Sequence, residues 1–150
     1  MHKVAIIGTT TWGITMALVL ARKGVPVRLW ARSEEEAGRL LQGDALLRLP
    51  GERRPADKLA GITFPRQVSV ISDIGQAMAD VRAVILVVPS RTMRQNLEKM
   101  KAHLRSSVLV ISASEGLEVE TGKRMSQVIS EEIDPVFRSN ICVLSGPNLY

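Results

Sequence analysis

The chain has 150 residues, 45% of them apolar and 23% charged, with 11 glycines and 7 prolines. That size and balance fit one globular domain, or part of a larger protein, and exclude intrinsic disorder and a collagen-like fibre. The net charge is +5, from 20 Lys+Arg against 15 Asp+Glu, but the signs interleave, as in Arg32-Ser33-Glu34-Glu35-Glu36, and only 3% of residues are aromatic. Nucleic-acid binding is therefore not expected. A modest positive field that attracts phosphorylated small molecules fits better.

No apolar stretch approaches the ~18 residues of a membrane helix, so no membrane insertion is expected. The apolar residues between Lys3 and Gly8 are too few for the central region of a signal peptide. The single cysteine, Cys142, cannot form an internal disulfide, which points to a reducing, cytoplasmic setting. Cys142 lies in an apolar strand and reads as a core residue.

Taken in order, Val4-Ala5-Ile6-Ile7 is an apolar run that stops at a glycine, the pattern of a buried strand. Residues 13–23 have apolar side chains at helical spacing, and Gly24 ends that helix with Arg22 and Lys23 in its last turn. Residues 25–30 form a second strand. Ser33 is a natural N-cap, with Glu34, Glu35 and Glu36 in the first turn of a helix reaching about Gln42. Residues 43–66 are broken by Gly and Pro and read as a surface excursion with one short helix. Residues 68–71 form a third strand, and Ser72 or Asp73 caps a short helix through Ala79. Residues 83–88 are apolar throughout and end at Pro89, a fourth strand; a helix runs from Ser90 to about His103. Residues 108–111 are a fifth strand, 121–132 a helix, and 141–144 a sixth strand ending in Ser145-Gly146-Pro147.

Strand–helix alternation of this kind implies an α/β fold: a doubly wound, mostly parallel sheet between two helical layers. The expected strand order is 3-2-1-4-5-6, that of a Rossmann dinucleotide-binding domain. The first strand runs into Gly8-Thr9-Thr10-Thr11-Trp12-Gly13 and straight on into a helix. The usual fingerprint is G-x-G-x-x-G. Gly8 supplies the tight turn and Gly13 lets the helix pack on the sheet. Thr10 stands where a glycine normally lets the backbone approach a pyrophosphate, so its side chain must be accommodated. The N–H groups at the helix start still face an anion. A packing-only role for the glycines is the alternative.

The end of the second strand bears on cofactor choice. An acid about 20 residues beyond the glycines would hold the ribose 2′-hydroxyl of NAD. Here the residues are Arg32, a fixed positive charge with a fork suited to phosphate, and Ser33, a hydroxyl. They favour NADP over NAD. Pairing of Arg32 with Glu35 or Glu36 would weaken a 2′-phosphate site.

These residues bring out a resemblance over essentially the whole chain to the N-terminal domain of bacterial NAD(P)-dependent glycerol-3-phosphate dehydrogenases. It is carried by the Thr-Trp-Gly of the first turn, the segments 17–24 and 27–30, Leu49-Pro50-Gly51, Val87-Val88-Pro89-Ser90, Gly116-Leu117-Glu118 with Thr121-Gly122, and Leu144-Ser145-Gly146-Pro147. The resemblance implies reversible reduction of dihydroxyacetone phosphate to sn-glycerol 3-phosphate with NADPH or NADH, feeding glycerophospholipid synthesis. It further implies that Thr11, Trp12 and Arg32 line the cofactor site, with Pro89 and Ser90 beside it. Gly146 and Asn148 fall where the family approaches its substrate, and Tyr150 where it usually has a small alanine beside the cofactor.

Thr10, the loop with Asn148 and Tyr150, and Glu115 depart from the family pattern. Where this chain has Glu115, the family normally has a lysine that serves cofactor and substrate phosphate. At ~4 Å and an effective dielectric of ~20, each sign is worth about 4 kcal/mol before screening. Either Glu115 turns away, or another cation takes over, or the substrate differs; Arg91 or Arg94, on the helix after Pro89-Ser90, is the cation expected to compensate. The family's general acid is a lysine in a helical C-terminal domain not contained in these residues. No catalytic residue is therefore assigned here, and the chain is expected to bind cofactor without turnover. Lys99, Lys101 and Lys123 read as surface helix residues, and His2 and His103 lack triad or metal-ligand spacing. Apolar surface left where a second domain packs predicts self-association, and a homodimer stays open for a full-length protein. Two other readings remain open: a non-catalytic dinucleotide sensor, and a related dehydrogenase whose substrate differs because of Glu115.

Overall fold

The computed structural model describes residues 2–43 and 61–146. Six strands form one parallel sheet: β1 (Lys3–Ile7), β2 (Val27–Trp30), β3 (Val68–Ile71), β4 (Val81–Leu86), β5 (Leu109–Ser112) and β6 (Ile141–Val143). Among the described residues five α-helices connect them: α1 (Thr11–Arg22), α2 (Glu34–Leu41), α3 (Ile74–Met78), α4 (Met93–Met100) and α5 (Met125–Glu132). The strand order is β3-β2-β1-β4-β5-β6, with every pair parallel. The order reverses between β1 and β4, which is where such sheets open a crevice at their carboxyl ends.

Neighbouring residues along each strand feed opposite faces, as the strand pleat requires. Ala5 and Ile7 of β1, with Val84 and Leu86 of β4, join one core that takes in Met93, Leu97 and Met100 of α4 and Val128 and Ile129 of α5. Ile6, Leu29 and Ile85 point into a second core with Ile14, Ala17 and Ala21 of α1 and Leu40 of α2. Both faces of the sheet are thus covered, which is why the strands read as apolar runs without polar alternation. Each fully buried Leu or Ile contributes roughly 1.5–3 kcal/mol of burial free energy.

Several boundaries move from the sequence expectation. β2 starts at Val27, since Pro26 occupies the turn and has no N–H for the sheet ladder. β4 covers Val81–Leu86, and Val87 and Val88 lie in the turn after it. Asp73, not Ser72, caps α3, its carboxylate accepting from the Gln76 N–H. The segment after Pro89 is a 3₁₀ turn (Ser90–Thr92), then α4, then a second 3₁₀ turn (Lys101–His103). α5 begins at Met125, four residues late, because the preceding residues form a turn in which Glu118 N–H donates to the Lys123 carbonyl and Gly122 takes φ +68°. Lys123 therefore lies in that turn and not on a helix. Cys142 is exposed, not core: β6 is the last strand of the described sheet, and its side chain lies on an uncovered part of that strand. Most of the expected excursion, with Leu49, Pro50 and Gly51, lies outside the described residues, as do Pro147, Asn148 and Tyr150.

Candidate cofactor site at the carboxyl ends of the strands

The turn after β1 is built from two glycines at which any added side chain would force the backbone to shift. Gly8 has φ +123°, and a Cβ there would meet the Val87 carbonyl oxygen at 2.2 Å. A Cβ on Gly13 would meet the Gly8 carbonyl oxygen at 2.1 Å. The turn is therefore pressed against the segment after β4 on one side and against α1 on the other. No Cβ fits at either point without a backbone shift.

Thr10 has a definite task within it. Its hydroxyl accepts from the Gly13 N–H at 3.1 Å, capping α1, and donates to the Val87 carbonyl at 3.2 Å. The residue that departs from the glycine fingerprint is thus the N-cap, the position where a short hydroxyl side chain stabilises a helix most. The helix consequently starts at Thr11, two residues earlier than its apolar spacing suggests. Thr11 is exposed at the helix start, and Trp12 is partly buried against the second core.

Thr9 turns the other way. Its hydroxyl donates to Glu36 Oε1 at 2.7 Å. The same carboxylate accepts from the Arg32 backbone N–H at 2.6 Å and from the Arg32 guanidinium through Nε at 3.3 Å and NH2 at 3.2 Å. The Glu36 side chain is 3% exposed, that of Arg32 55%. Burial works against ionisation of Glu36, but the hydrogen bonds from Arg32 and Thr9 outweigh it and hold the carboxyl below its ordinary range. Ser33 caps α2, its hydroxyl oxygen accepting from the Glu36 N–H at 3.1 Å. Of the two acids expected as Arg32 partners, Glu36 is the one used; Glu35 pairs with Arg39.

The loops after β4 and β5 close in beside the glycine turn. Ser114 joins them: its hydroxyl donates to the Leu86 carbonyl and accepts from the Val88 N–H at 3.0 Å. Pro89 and Ser90 begin the turn into α4, and a Cβ on Gly116 would come within 3.6 Å of Ser90 Oγ. Glu115 is exposed on that same loop, next to Gly116. Gly8, Thr10, Pro89, Ser90 and Glu115 are therefore brought to one end of the sheet, at the β1/β4 reversal. Gly146, also exposed, lies just beyond β6.

Arg94 does not serve as the compensating cation. It holds Glu118 through both carboxylate oxygens at 2.7 and 2.8 Å, Glu132 at 2.6 Å and Glu131 at 2.8 Å. Lys123 joins the cluster through Glu131, and Thr121 donates to Glu118. The Glu118 carboxyl is pulled down to about 2, chiefly by Arg94. This cluster ties α4, α5 and the turn between them together. These residues come from three separate segments, and no local pattern in the sequence groups them. Arg91 is exposed on the turn after Pro89. Lys99 sits 5.5 Å from the Trp30 ring centroid. Among the described residues no group of three or more His, Cys, Asp or Glu side chains is arranged to hold a metal ion.

A parallel doubly wound sheet, a glycine turn that opens a helix at the strand-order reversal and a basic fork at the end of β2 define a Rossmann-type dinucleotide-binding domain. The family model of the NAD-dependent glycerol-3-phosphate dehydrogenase N-terminus matches residues 3–149, and the chain belongs to that family. It is 51% identical over 150 residues to a glycerol-3-phosphate dehydrogenase [NAD(P)+] of Dehalococcoides mccartyi, covering 99% of this chain and 39% of that protein. A protein of the same description from Corynebacterium urealyticum is 37% identical over 149 residues, with 42% of its length covered. A crystal structure of glycerol-3-phosphate dehydrogenase from Coxiella burnetii superposes with a TM-score of 0.77 at 26% identity, covering 99% of this chain and 42% of that one. The chain thus spans about two fifths of the length of the relatives it matches. No helix among the described residues is long and apolar enough to cross a membrane.

Proposed function

We propose that this chain is the cofactor-holding part of an oxidoreductase that interconverts dihydroxyacetone phosphate and sn-glycerol 3-phosphate with NADPH or NADH. The observation that carries the reading is the Gly8–Gly13 turn, with no room for a Cβ at either glycine, lying at the start of α1 and at the reversal between β1 and β4. Family membership and the relatives' names supply glycerol 3-phosphate; dihydroxyacetone phosphate is the ketone that removal of hydride from its C2 carbinol gives.

The residues fit a dinucleotide. The start of α1 offers backbone N–H groups and the positive end of a helix dipole to a pyrophosphate. Thr10 keeps its hydroxyl bonded within the fold, which leaves the turn's outer surface for the ligand. Arg32 presents a half-exposed guanidinium whose NH1 makes no hydrogen bond among the described residues, and Ser33 lies beside it. This supports NADP as the favoured cofactor, with NAD also accepted. Trp12, Pro89, Ser90 and Tyr150 are assigned to the cofactor's surroundings, and Gly146 and Asn148 to the substrate side. When bound, the nicotinamide supplies the hydride. The protein's part is to orient it, and no proton donor is assigned within these residues. The positive balance of the chain favours a phosphorylated substrate. Homodimerisation of a longer protein and a cytoplasmic setting belong to the same reading.

A different substrate is a second reading, favoured by one observation: a carboxylate, Glu115, is exposed on the loop beside Ser90, where the family resemblance leads one to expect a lysine. Of the two arginines expected to offset Glu115, Arg91 is exposed on the turn after Pro89 and lies outside the carboxylate cluster that holds Arg94. Thermal denaturation with added NADPH tests the main reading. A ligand at about 100 times its Kd stabilises the folded state by about 2.7 kcal/mol, a readily measured rise in Tm. No rise with either NADPH or NADH would overturn the reading. Turnover of dihydroxyacetone phosphate by the 150-residue chain alone would overturn the assignment of no catalytic residue to it.

A further inference from the structure

We propose that Glu36 sets how strongly this site discriminates NADP from NAD, its buried carboxylate limiting the positive potential that Arg32 offers a ribose 2′-phosphate. The proposal rests on the reading of Arg32 as the phosphate-facing cation.

Glu36 is not placed to be the ribose-binding acid itself. A carboxylate has about four acceptor sites. Those of Glu36 receive the Thr9 hydroxyl, the Arg32 backbone N–H and two guanidinium N–H groups. No acceptor capacity remains for a ribose hydroxyl, so its effect on a bound cofactor is through charge. That charge is fixed in place. Thr9 holds it from the glycine turn and the Arg32 backbone holds it from the end of β2, so the carboxylate is not free to swing away when a second anion arrives. It is also hidden from water, with 3% of its side chain exposed, where screening is weakest. An arriving 2′-phosphate meets the attraction of Arg32 and the repulsion of Glu36 together. A 2′-hydroxyl, being neutral, is nearly indifferent to both. Glu35, one residue earlier, is exposed and paired with Arg39, so its charge is screened and directed elsewhere.

The test measures Kd for NADPH and for NADH on the wild-type chain, on Glu36→Gln and on Glu35→Gln, after circular dichroism has shown each to be folded. Glu36→Gln keeps the size of the side chain and an oxygen for the Arg32 N–H. The preference for NADPH is expected to rise about tenfold, with NADH affinity within about twofold of wild type. Glu35→Gln is expected to change the preference by less than about twofold. If Glu36→Gln does not fold, Glu36→Met removes the charge at similar volume and carries the same expectation. A preference that stays constant or falls in the charge-removed variant, while both cofactors still bind, would overturn the proposal. Failure of the wild-type chain to bind either cofactor would instead overturn the functional reading, and this proposal with it.

Discussion

The hydroxyl of Thr10 bridges two parts of the chain that are 77 residues apart in sequence, donating to the carbonyl of Val87 at 3.2 Å while accepting the N–H of Gly13 at 3.1 Å. A residue that looks like a defect in the glycine fingerprint is thus a helix cap and a clasp between the β1 and β4 ends. Thr10→Ala removes both bonds. It is expected to cost about 1 kcal/mol, a fall of roughly 2–4 °C in Tm for a chain of this size, measured by thermal denaturation.

Gly8→Ala has a sharper expectation. The added Cβ would lie 2.2 Å from the Val87 carbonyl oxygen, at a φ of +123°. The clash is with backbone, so no side chain can move aside. Destabilisation on the order of 3 kcal/mol or more is expected, read as a lower midpoint in urea.

The cluster around Arg94 makes stability depend on pH. The Glu118 carboxyl lies near 2 in the folded chain against 4.5 for the unperturbed group. Because its folded value is depressed, its contribution is fully present above about 4.5 and is lost as pH falls from there toward 2. Glu131 and Glu36 are shifted in the same direction and add to the slope. Wild type is expected to lose Tm more steeply than Glu118→Gln over that window. Parallel curves for the two would contradict the role given to the cluster.

Ser112 gives the opposite kind of substitution. Its hydroxyl is buried and has no hydrogen-bond partner among the described residues. Ser112→Ala removes an unsatisfied polar group at little loss of packing. It is expected to leave stability unchanged or to raise it by up to about 1 kcal/mol.

Much of the fold was legible because its signals are local. Short apolar runs stopped by Gly8 and Pro89, the Ser33 cap and the Gly24 helix end each depend on a few adjacent residues; together they give the strand–helix alternation, and the strand order follows from the doubly wound fold that the alternation implies. The misreadings came from features set by distant partners. Thr10 reads as an obstacle until Val87 is beside it. Arg94 reads as a cation available to offset Glu115 until α4 packs on α5 and the turn before it, which bring three glutamates to it. Cys142 and the buried strand residues share one apolar pattern; what separates them is place in the sheet, which sequence periodicity does not encode. Glu36 was visible as a partner for Arg32, but its burial and its bond to Thr9 were not.

The most direct test of the cofactor site is a titration of the chain with NADPH and NADH read by tryptophan fluorescence, in wild type and in Trp12→Phe. Trp30 is buried with its indole N–H on the Ser72 carbonyl at 2.9 Å, so it supplies a steady background, and Trp12, at the start of α1, supplies the signal. Saturable quenching, tighter for NADPH and largely absent in Trp12→Phe, is the predicted result. A folded wild-type chain whose fluorescence shows no saturable response to either cofactor would contradict the assignment of the Gly8–Gly13 turn as a dinucleotide site.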